Sequence, residues 1–467
     1  MRQETPPVRT VYMTAGEIAA FEPDAPPVLG FDALGRARQA MRENNCWAPN
    51  QQMGSRWPIG CVALEITQRC NLDCTLCYLS EHSEAVKDIP LDEVFRRIEL
   101  IYSHYGHNTD VQITGGEPTL RKREDLVAIV RRVRDRGMRP TLMTNGRKVT
   151  RRLLEELARA GLVDAVFHVD TTQNIRGYQT ETELNLLREA CVQRASGLPL
   201  SIMFNTTVHD GNHHEIPDLV RFFKRNAGRI RTAAFHIEAQ TGRGVHDKKS
   251  AITLDSVAAQ IEEGAGTPIN FTSSLTGHPR CNRYGLCFEV NGALYDALDD
   301  PGFVGRLQSA TAHLVLDRGN AQKTGKDFLA WLVRHPGHWG TFLGWSARKA
   351  WRMRAGLVAS GGRVNTISFF IHCFMSACTL ERDRVEACVF KTMTKDGPIS
   401  MCLHNAKRDT FILRPIKVAA SAGGGYWQPL TGEVTGDSDL QVVNPEQYGL
   451  KRTKGRTRQM LLRKHSH

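Results

Sequence analysis

Apolar positions in the middle of the chain follow two alternating spacings. Short continuous apolar runs such as CVALEIT at 61–67 are typical of buried strands, whereas Val94, Ile98 and Ile101 recur at helical intervals within 90–106. This alternation continues to about residue 245. It predicts strands at 61–67, 110–114, 141–144, 164–170, 200–208 and 232–239, and helices at 90–106, 124–137, 151–161, 182–194 and 215–226.

Six strands that alternate with helices predict an α/β fold with a parallel sheet and right-handed crossovers. The sheet is either open and doubly wound, or it is a full or partial barrel. In both arrangements the functional residues lie at the C-terminal ends of the strands. Candidate chemistry is therefore expected just after each strand.

The segments on either side of this core lack the alternation. The first 60 residues are rich in proline and are expected to pack as an extension against a larger body, and the chain after about residue 245 is irregular. The predicted organisation is an extension at 1–60, a core at 61–245, a linker at 246–322, a Trp-rich basic segment at 323–360, a second cysteine region at 361–420 and a basic tail at 421–467.

The composition narrows the class of protein. With 467 residues, of which 41% are hydrophobic and 24% charged, the chain can bury a sizeable core, which excludes a disordered or fibrous protein. The net charge of +12 predicts attraction to an anionic partner, which is nucleic acid, a lipid surface or an acidic substrate.

The cysteines are expected to be metal ligands or catalytic groups. The N-terminus lacks the pattern of a secretory signal, and no apolar run reaches the length of a membrane span, so we expect a cytoplasmic protein. Thiols stay reduced in that compartment, and most of the 12 cysteines are clustered.

The first cluster follows the first predicted strand. Cys70, Cys74 and Cys77 have the spacing C-x3-C-x2-C on one short loop. Three thiolates can hold an iron–sulfur cluster and leave one iron open, since clusters that only transfer electrons use four cysteines. The alternative is a structural zinc site of the Cys3His type with His82 as its fourth ligand.

Two further motifs stand at the ends of the next strands. TGGEPTL contains Gly115, Gly116 and Glu117, and MTNG contains Thr144 and Asn145. Glycines allow a backbone to approach a ligand closely, and a carboxylate can accept a hydrogen bond from a ligand ammonium. Each motif alone is also compatible with a plain turn.

In this order on successive β/α units, the three motifs closely resemble the radical S-adenosylmethionine (radical SAM) superfamily over residues 61–245. The resemblance implies a partial (β/α)6 barrel, a [4Fe-4S] cluster with an open iron on Cys70, Cys74 and Cys77, and S-adenosyl-L-methionine as cofactor. It further implies that the carbonyl of Tyr78 contacts the adenine and that Gly115, Gly116 and Glu117 hold the methionine amine.

The same resemblance implies a role for polar residues at the ends of later strands. Thr144, Asp170 and Asn205 would face the cofactor or the substrate. For Asp170 and Asn205 the alternative is a strand-end hydrogen-bonding role without ligand contact.

The later cysteines suggest a second metal site. Cys281 and Cys287 form one group, and Cys378, Cys388 and Cys402 form another. TKDGPIS, which contains Asp396-Gly397, predicts a hairpin that would bring Cys388 and Cys402 together. We expect an auxiliary [4Fe-4S] cluster on Cys281, Cys388 and Cys402, with Cys287 or Cys378 as fourth ligand. Cys46, Cys61, Cys191 and Cys373 are expected to be core residues.

This C-terminal region resembles, more loosely, a superfamily branch that contains archaeal tetraether lipid synthases and pterin methylases. The residues that carry this likeness are His278, Pro279, Cys281, Leu380, Glu381, Arg382, Cys388, Asp396, Gly397, Cys402 and Asn405.

The segment 323–360 carries Trp331, Trp339, Trp345 and Trp351 with Lys and Arg nearby. Tryptophan favours the headgroup region of a bilayer, and basic residues attract anionic lipid, so one interpretation is shallow membrane docking. The other is an ordinary helix pair packed on the barrel.

The leading hypothesis is a radical SAM enzyme that functionalises an unactivated C–H bond of a lipid or other hydrophobic substrate. Its expected partners are that substrate, a one-electron donor such as flavodoxin or ferredoxin, and the inner face of the membrane as a peripheral contact; nucleic acid is not expected. The alternatives are a peptide-modifying maturase with an auxiliary cluster and a non-catalytic iron–sulfur or zinc protein that binds RNA.

Overall fold

The computed structural model describes residues 11–28, 30–244, 251–314, 316–317, 321–418 and 424–436, together with Val443. The basic residues at 451–467 that the sequence singles out lie outside this part of the chain.

The strands are β1 (Cys61–Thr67), β2 (Asp110–Gly115), β3 (Arg139–Thr144), β4 (Asp164–His168), β5 (Ser201–Val208), β6 (Ile230–Ile237), β7 (Asn282–Val290), β8 (Ala293–Asp296), β9 (Asn365–Cys373), β10 (Phe390–Met393), β11 (Pro398–Ser400), β12 (Ile416–Val418), β13 (Gly425–Trp427) and β14 (Val434–Thr435).

The helices are α1 (Ala15–Ala20), α2 (Ala33–Glu43), α3 (Leu91–Tyr105), α4 (Arg123–Asp135), α5 (Arg151–Arg159), α6 (Asn185–Ala195), α7 (Ile216–Arg225), α8 (Leu254–Ala265), α9 (Pro301–Ala310), α10 (Ala321–Arg334), α11 (Trp339–Ala359), α12 (Arg382–Glu386), α13 (Met401–Ala406) and α14 (Arg408–Ile412).

The predicted α/β core is confirmed. Strands β1 to β6 lie side by side in chain order, and every neighbouring pair is parallel. The five predicted helices correspond to α3–α7. The largest difference at the start of an element is at α6, which begins at Asn185 rather than at 182 because the preceding residues form turns that end at Leu184.

The C-terminal extension contributes to the same sheet. Strand β9 pairs in parallel with β6, and β10 pairs in parallel with β1. Antiparallel β7 and β8 extend the β9 side, and antiparallel β11 extends the β10 side, which gives an 11-stranded sheet. The region after residue 245 is therefore more regular than its sequence pattern indicates.

The sheet curls until its two ends meet. Phe370 of β9 and Phe390 of β10 have ring centroids 6.1 Å apart, although seven strand-to-strand steps separate β9 from β10 in the sheet order. In a flat sheet these steps would place the strands about 34 Å apart at the usual strand spacing. The ring contact therefore indicates a barrel-like enclosure.

Alternation along the strands separates the helix-covered side from the lumen. Val62, Leu64 and Ile66 of β1 are fully buried and pack with apolar residues of α3 and α4. The alternate residue Glu65 is 7% exposed and pairs with Arg408 at 2.8 Å. The lumen is therefore polar near β1, where the first cysteine loop begins.

The segment 323–360 forms two helices, α10 and α11. Among the described residues, no helix combines the length and apolar character that a membrane crossing requires.

Candidate functional site

The loop that carries Cys70, Cys74 and Cys77 starts at the C-terminal end of β1, as predicted. All three cysteines are partly exposed. Thr75 donates its backbone N–H to the carbonyl of Thr172 at 2.9 Å, which ties the loop to the end of β4. The loop is therefore held at the mouth of the barrel.

A buried arginine braces this loop from the far side of the barrel. Arg243 follows β6 and has no exposed side-chain surface. Its guanidinium lies 3.3 Å from Glu84 and 3.7 Å from Asp73, and its backbone N–H donates to Leu79. Burial alone would lower the pKa of Arg243, but Cys77 and Glu84 raise it above the usual value. Arg243 therefore supplies a buried positive charge to the acidic groups and the thiol that surround it.

Two glycines allow this brace to touch the loop. A Cβ on Gly242 would lie 2.3 Å from the carbonyl oxygen of Tyr78, and a Cβ on Gly244 would lie 2.6 Å from the backbone nitrogen of Cys77. We call Gly242–Gly244 the GRG clamp. Only residues without a side chain permit this close approach of two backbones.

The donor set fits an iron–sulfur cluster. Leu72 donates its N–H to Cys70 Sγ at 3.5 Å, a contact of the kind that supports a cluster thiolate. Burial, followed by the charges of Cys77, Asp170 and Cys70, raises the pKa of Cys74 well above its usual value, which shows that these groups are neighbours. Among the described residues, no three His, Cys, Asp or Glu side chains are arranged to hold a metal ion. The fit therefore rests on the thiols and the positive charge of Arg243.

The paired glycines of the second motif have a structural reason beyond ligand approach. A Cβ on Gly115 would meet the carbonyl oxygen of Thr67 at 1.9 Å, and one on Gly116 would meet that of Arg69 at 2.1 Å. The backbone of Gly115 also has φ 137°, a conformation that favours glycine. The glycines therefore bring the end of β2 against the start of the cysteine loop.

Glu117 is fully buried and fixes the end of β3. Its carboxylate accepts hydrogen bonds from Thr119, from Thr144 Oγ1 at 2.7 Å and from the backbone N–H of Asn145 at 2.8 Å. Glu117 and Thr144 thus act on each other, and a direct contact of either residue with the methionine amine stays a prediction.

Tyr78 links the two motifs to the C-terminal extension. Its hydroxyl donates to the carbonyl of Gly115 at 2.6 Å, and the Arg408 guanidinium lies 4.8 Å from the ring centroid. Arg408 also pairs with Glu65 and donates to Asn405. The position of Tyr78 is therefore set by β2 and α14 together.

Asp170 is a buried strand-end brace, and its partner is a histidine. It accepts from the backbone N–H groups of Thr172 and Thr207, and its carboxylate lies 2.6 Å from His168 Nε2. Burial alone would raise the pKa of Asp170, but His168 lowers it; burial alone would lower the pKa of His168, but Asp170 raises it. Each group of the pair therefore favours the charged form of the other, and this contact is the strand-end role that the sequence offers as the alternative for Asp170.

Asn205 lies beside this pair. It belongs to β5, is 4% exposed, and its backbone carbonyl accepts from Val169 at 3.2 Å. It occupies the position opposite His168 in the pairing of β4 with β5.

Imidazole and aromatic rings line the part of the barrel wall that β6 and β9 form, which we call the opposite wall. His236 and His372 have ring centroids 4.9 Å apart, and His372 stacks on Phe370 at 4.2 Å. Burial lowers the pKa of His236 to about 3, and burial also lowers that of His372 well below its usual value. This wall therefore offers apolar faces and neutral hydrogen-bonding groups.

The predicted hairpin that links two later cysteines is present. Strands β10 and β11 pair antiparallel around the Asp396-Gly397 turn. Cys388 lies just before β10 and Cys402 just after β11. Cys388 raises the pKa of Cys402, as does Cys281, although burial is the largest cause. Cys281 and Cys388 therefore lie near enough to Cys402 to interact with it electrostatically.

The two predicted candidates for a fourth ligand differ in location: Cys287 lies in the hydrophobic core and Cys378 lies on the surface. Cys287 is fully buried in the main hydrophobic core, near Asp296 and Lys349. Cys378 is exposed on the connection between β9 and α12.

Three residues near the site were not predicted from the sequence: Arg243, Arg408 and His372. The sequence did contain an indication for Arg243, because a glycine stands on each side of it shortly after a predicted strand. The sequence contained no indication for Arg408, since its role depends on a contact with Tyr78, which is more than 300 residues away along the chain. His372 belongs to a strand in the segment that was described as irregular.

Comparison with known proteins gives one family and several partial relatives. The model of the radical SAM superfamily matches residues 64–223. A probable GTP 3′,8-cyclase of Pyrococcus abyssi is 31% identical over 41% of this chain and 60% of its own length. A PqqA peptide cyclase of Bradyrhizobium diazoefficiens is 32% identical over 34% of this chain and 42% of its own length.

A third relative is the 7,8-dihydro-6-hydroxymethylpterin dimethyltransferase of Methanocaldococcus jannaschii, which is 27% identical over 43% of this chain and 41% of its own length. The chain thus matches between 41% and 60% of the length of these three relatives.

Proposed function

Because the chain belongs to the radical SAM superfamily, we propose that it is an enzyme that functionalises an unactivated C–H bond of a lipid or other hydrophobic substrate. Cys70, Cys74 and Cys77 would hold a [4Fe-4S] cluster, which after reduction and with S-adenosyl-L-methionine bound would supply a 5′-deoxyadenosyl radical for hydrogen abstraction. The observation that carries the proposal is the cysteine loop braced by Arg243 at the mouth of the barrel.

The chain's own residues bind and orient. Cys70, Cys74 and Cys77 would hold the cluster, and the GRG clamp keeps their loop against the end of β6. The buried Arg243 offsets the negative charge of the thiolates. The closed wall of aromatic side chains would exclude water from a reactive intermediate.

The opposite wall supports a hydrophobic substrate. Phe370, Phe374 and Phe390 surround His372 with centroid distances of 4.2, 5.6 and 4.7 Å. Since His236 and His372 are neutral, this wall suits an apolar or aromatic group better than an anion.

The helix pair α10–α11 supports access from a lipid surface. Leu343, Trp351 and Val358 of α11 are 60%, 67% and 85% exposed and lie on one side of the helix by their spacing. The segment 323–360 carries seven Lys or Arg against one Asp. Apolar exposure next to positive charge is the pattern of a shallow contact with anionic lipid. We therefore propose peripheral contact with the inner face of the membrane.

The radical chemistry is tested by reconstituting the protein anaerobically with iron and sulfide. We expect 5′-deoxyadenosine from S-adenosylmethionine after reduction by dithionite or a flavodoxin. The variant Cys70→Ala/Cys74→Ala/Cys77→Ala should make none. Product from this variant, or no product from the wild type with extracted lipids, peptides and pterins, would refute the assignment.

The substrate class is tested in cells and on vesicles. A lipid species should disappear from total extracts when the gene is deleted. The double variant Leu343→Ser/Val358→Ser should lose co-sedimentation with vesicles of anionic phospholipid. The control Leu186→Ser should keep it, because Leu186 is also exposed, at 71%, but belongs to helix α6 of the β/α domain. Unchanged lipids and equal sedimentation would remove the lipid proposal and leave the radical chemistry in place.

Peptide modification is the second candidate. The likeness to a PqqA peptide cyclase favours it, over 34% of this chain. Binding of a short precursor peptide encoded beside the gene, in preference to vesicles, would support this candidate.

A further inference from the structure

We propose that Cys373 is the fourth thiol of a second iron–sulfur site, which it forms with Cys281, Cys388 and Cys402. The inference deepens the proposed function, since it defines an auxiliary cluster next to the substrate wall. Its test does not depend on turnover.

Cys281, which directly precedes β7, lies opposite Cys373, the last residue of β9. The backbone N–H of Cys373 donates to the carbonyl of Cys281 at 2.8 Å, directly beyond the pair Asn282 and His372. Paired residues on antiparallel strands project their side chains to the same face, with Cβ atoms about 5 Å apart. Their thiols are therefore neighbours.

The buried guanidinium of Arg384 donates hydrogen bonds to both of these cysteines. Arg384 Nε donates to Cys281 Sγ at 3.2 Å, and Arg384 Nη2 donates to the carbonyl of Cys373 at 2.5 Å. The residue is 6% exposed. A positive donor aimed at sulfur stabilises thiolates and offsets the negative charge of a cluster with four of them.

The remaining two thiols come from the β10–β11 hairpin. Met375, two residues after Cys373, donates its backbone N–H to Cys402 Sγ at 3.4 Å. Cys388 follows Arg384 by four residues, and its Sγ lies 3.0 Å from the carbonyl of Phe390. Burial is the main cause that raises the pKa of Cys281 to about 11; Arg384 opposes this rise, and the nearby Cys388 and Cys373 contribute to it. Cys281, Cys373 and Cys402 therefore lie near Arg384, and Cys388 lies near Cys281 and Cys402.

The other cysteines fit this site less well. Cys287 lies six positions along from Cys281, which corresponds to about 20 Å in a strand. Cys378 is exposed. Cys46 is near enough to Cys281 to be affected by its charge, but it is 5% exposed within an apolar cluster that includes Met41 and Met53. Cys373 is only partly buried, unlike a core cysteine.

The experiment uses the full chain with Cys70, Cys74 and Cys77 replaced by Ala, so that only the second site can load. After anaerobic reconstitution this background should hold about four irons and four sulfides per chain, with the Mössbauer spectrum of a [4Fe-4S] cluster. Adding Cys373→Ala should reduce bound iron at least twofold or give the electron paramagnetic resonance signal of a three-iron cluster. Cys373→Ser, which preserves volume, should change the spectrum in the same direction.

Matched controls separate ligation from folding. Cys287→Ser and Cys378→Ala in the same background should leave iron content and spectrum unchanged, and thermal unfolding before reconstitution should be alike for Cys373→Ser and its parent. Full iron with an unchanged spectrum in Cys373→Ala overturns the inference, as does loss caused instead by Cys46→Ala or Cys378→Ala. A background without iron also overturns it, whereas 5′-deoxyadenosine from the wild type would still support the proposed function.

Discussion

The ring of His372 on β9 lies edge-on against the ring of Phe390 on β10, with 4.7 Å between the centroids and 75° between the planes. These strands flank opposite ends of the six-stranded core, beside β6 and β1 respectively. The barrel is therefore closed by side chains that both come from the C-terminal extension. The residues that close it also form the aromatic wall of the lumen.

This closure predicts a stability cost when Phe390 is truncated. Phe390→Ala should lower the free energy of unfolding by about 2 kcal/mol, less than the cost for a fully buried Phe because the ring is only partly buried. Phe390→Leu should cost about half as much, since it keeps most of the apolar contact. Urea unfolding measures both. A cost for Phe390→Ala no larger than that for exposed Leu186→Ala would show that the two ends do not support each other.

The core was predictable because its pattern is local. Strand β1 was predicted at its observed bounds, since a run of seven buried residues flanked by polar ones carries its own signal. The cysteine loop was likewise visible, because its three cysteines lie within eight residues. The closure of the barrel was not predictable, because no local pattern shows that Phe390 meets His372.

The same distinction applies within the candidate site. Glu117 was recognised as a site residue from its motif, but its hydrogen bonds to Thr144 and Asn145 depend on the pairing of β2 with β3. Cys373 was expected to be a core residue. Its proximity to Cys281 follows only from the antiparallel pairing of β7 with β9.

Replacing a glycine of the GRG clamp by alanine should destabilise the protein, whereas the same replacement at a helical glycine with open space around it should stabilise the protein. Gly244→Ala should destabilise the protein by about 1–3 kcal/mol, because the new Cβ would meet the Cys77 nitrogen at 2.6 Å and the cysteine loop would have to move. Iron bound per chain should fall with it. Gly305→Ala is the control: it lies in α9 with open space around it, and it should stabilise by up to about 1 kcal/mol. Equal effects of the two variants in thermal unfolding would contradict the role of the clamp.

Arg243 predicts a coupling between charge and loading of the cluster. Arg243→Met should destabilise the protein by about 1–3 kcal/mol, because it removes the buried guanidinium that pairs with Glu84 and Asp73, while those carboxylates stay partly exposed to water. Arg243→Lys retains the charge and should recover part of the iron content. Arg152→Met, which removes a side chain that is 78% exposed, should change neither quantity. Iron analysis after reconstitution would refute this role if Arg243→Met loaded as fully as Arg152→Met.

The pair formed by His168 and Asp170 predicts a stability that depends on pH. The folded-state pKa of His168 is raised, so its contribution is complete below about pH 6.5 and is lost as pH rises through the folded-state value. The Asp170 pKa is lowered, so its contribution is present at neutral pH and is lost only in strong acid. His168→Gln should therefore destabilise more at pH 5.5 than at pH 8.5, as measured by urea unfolding at both values. His214→Gln, at an exposed position, should show the same small effect at each pH. A pH-independent cost for His168→Gln would mean that the imidazole contributes by packing, with no protonation in the folded state.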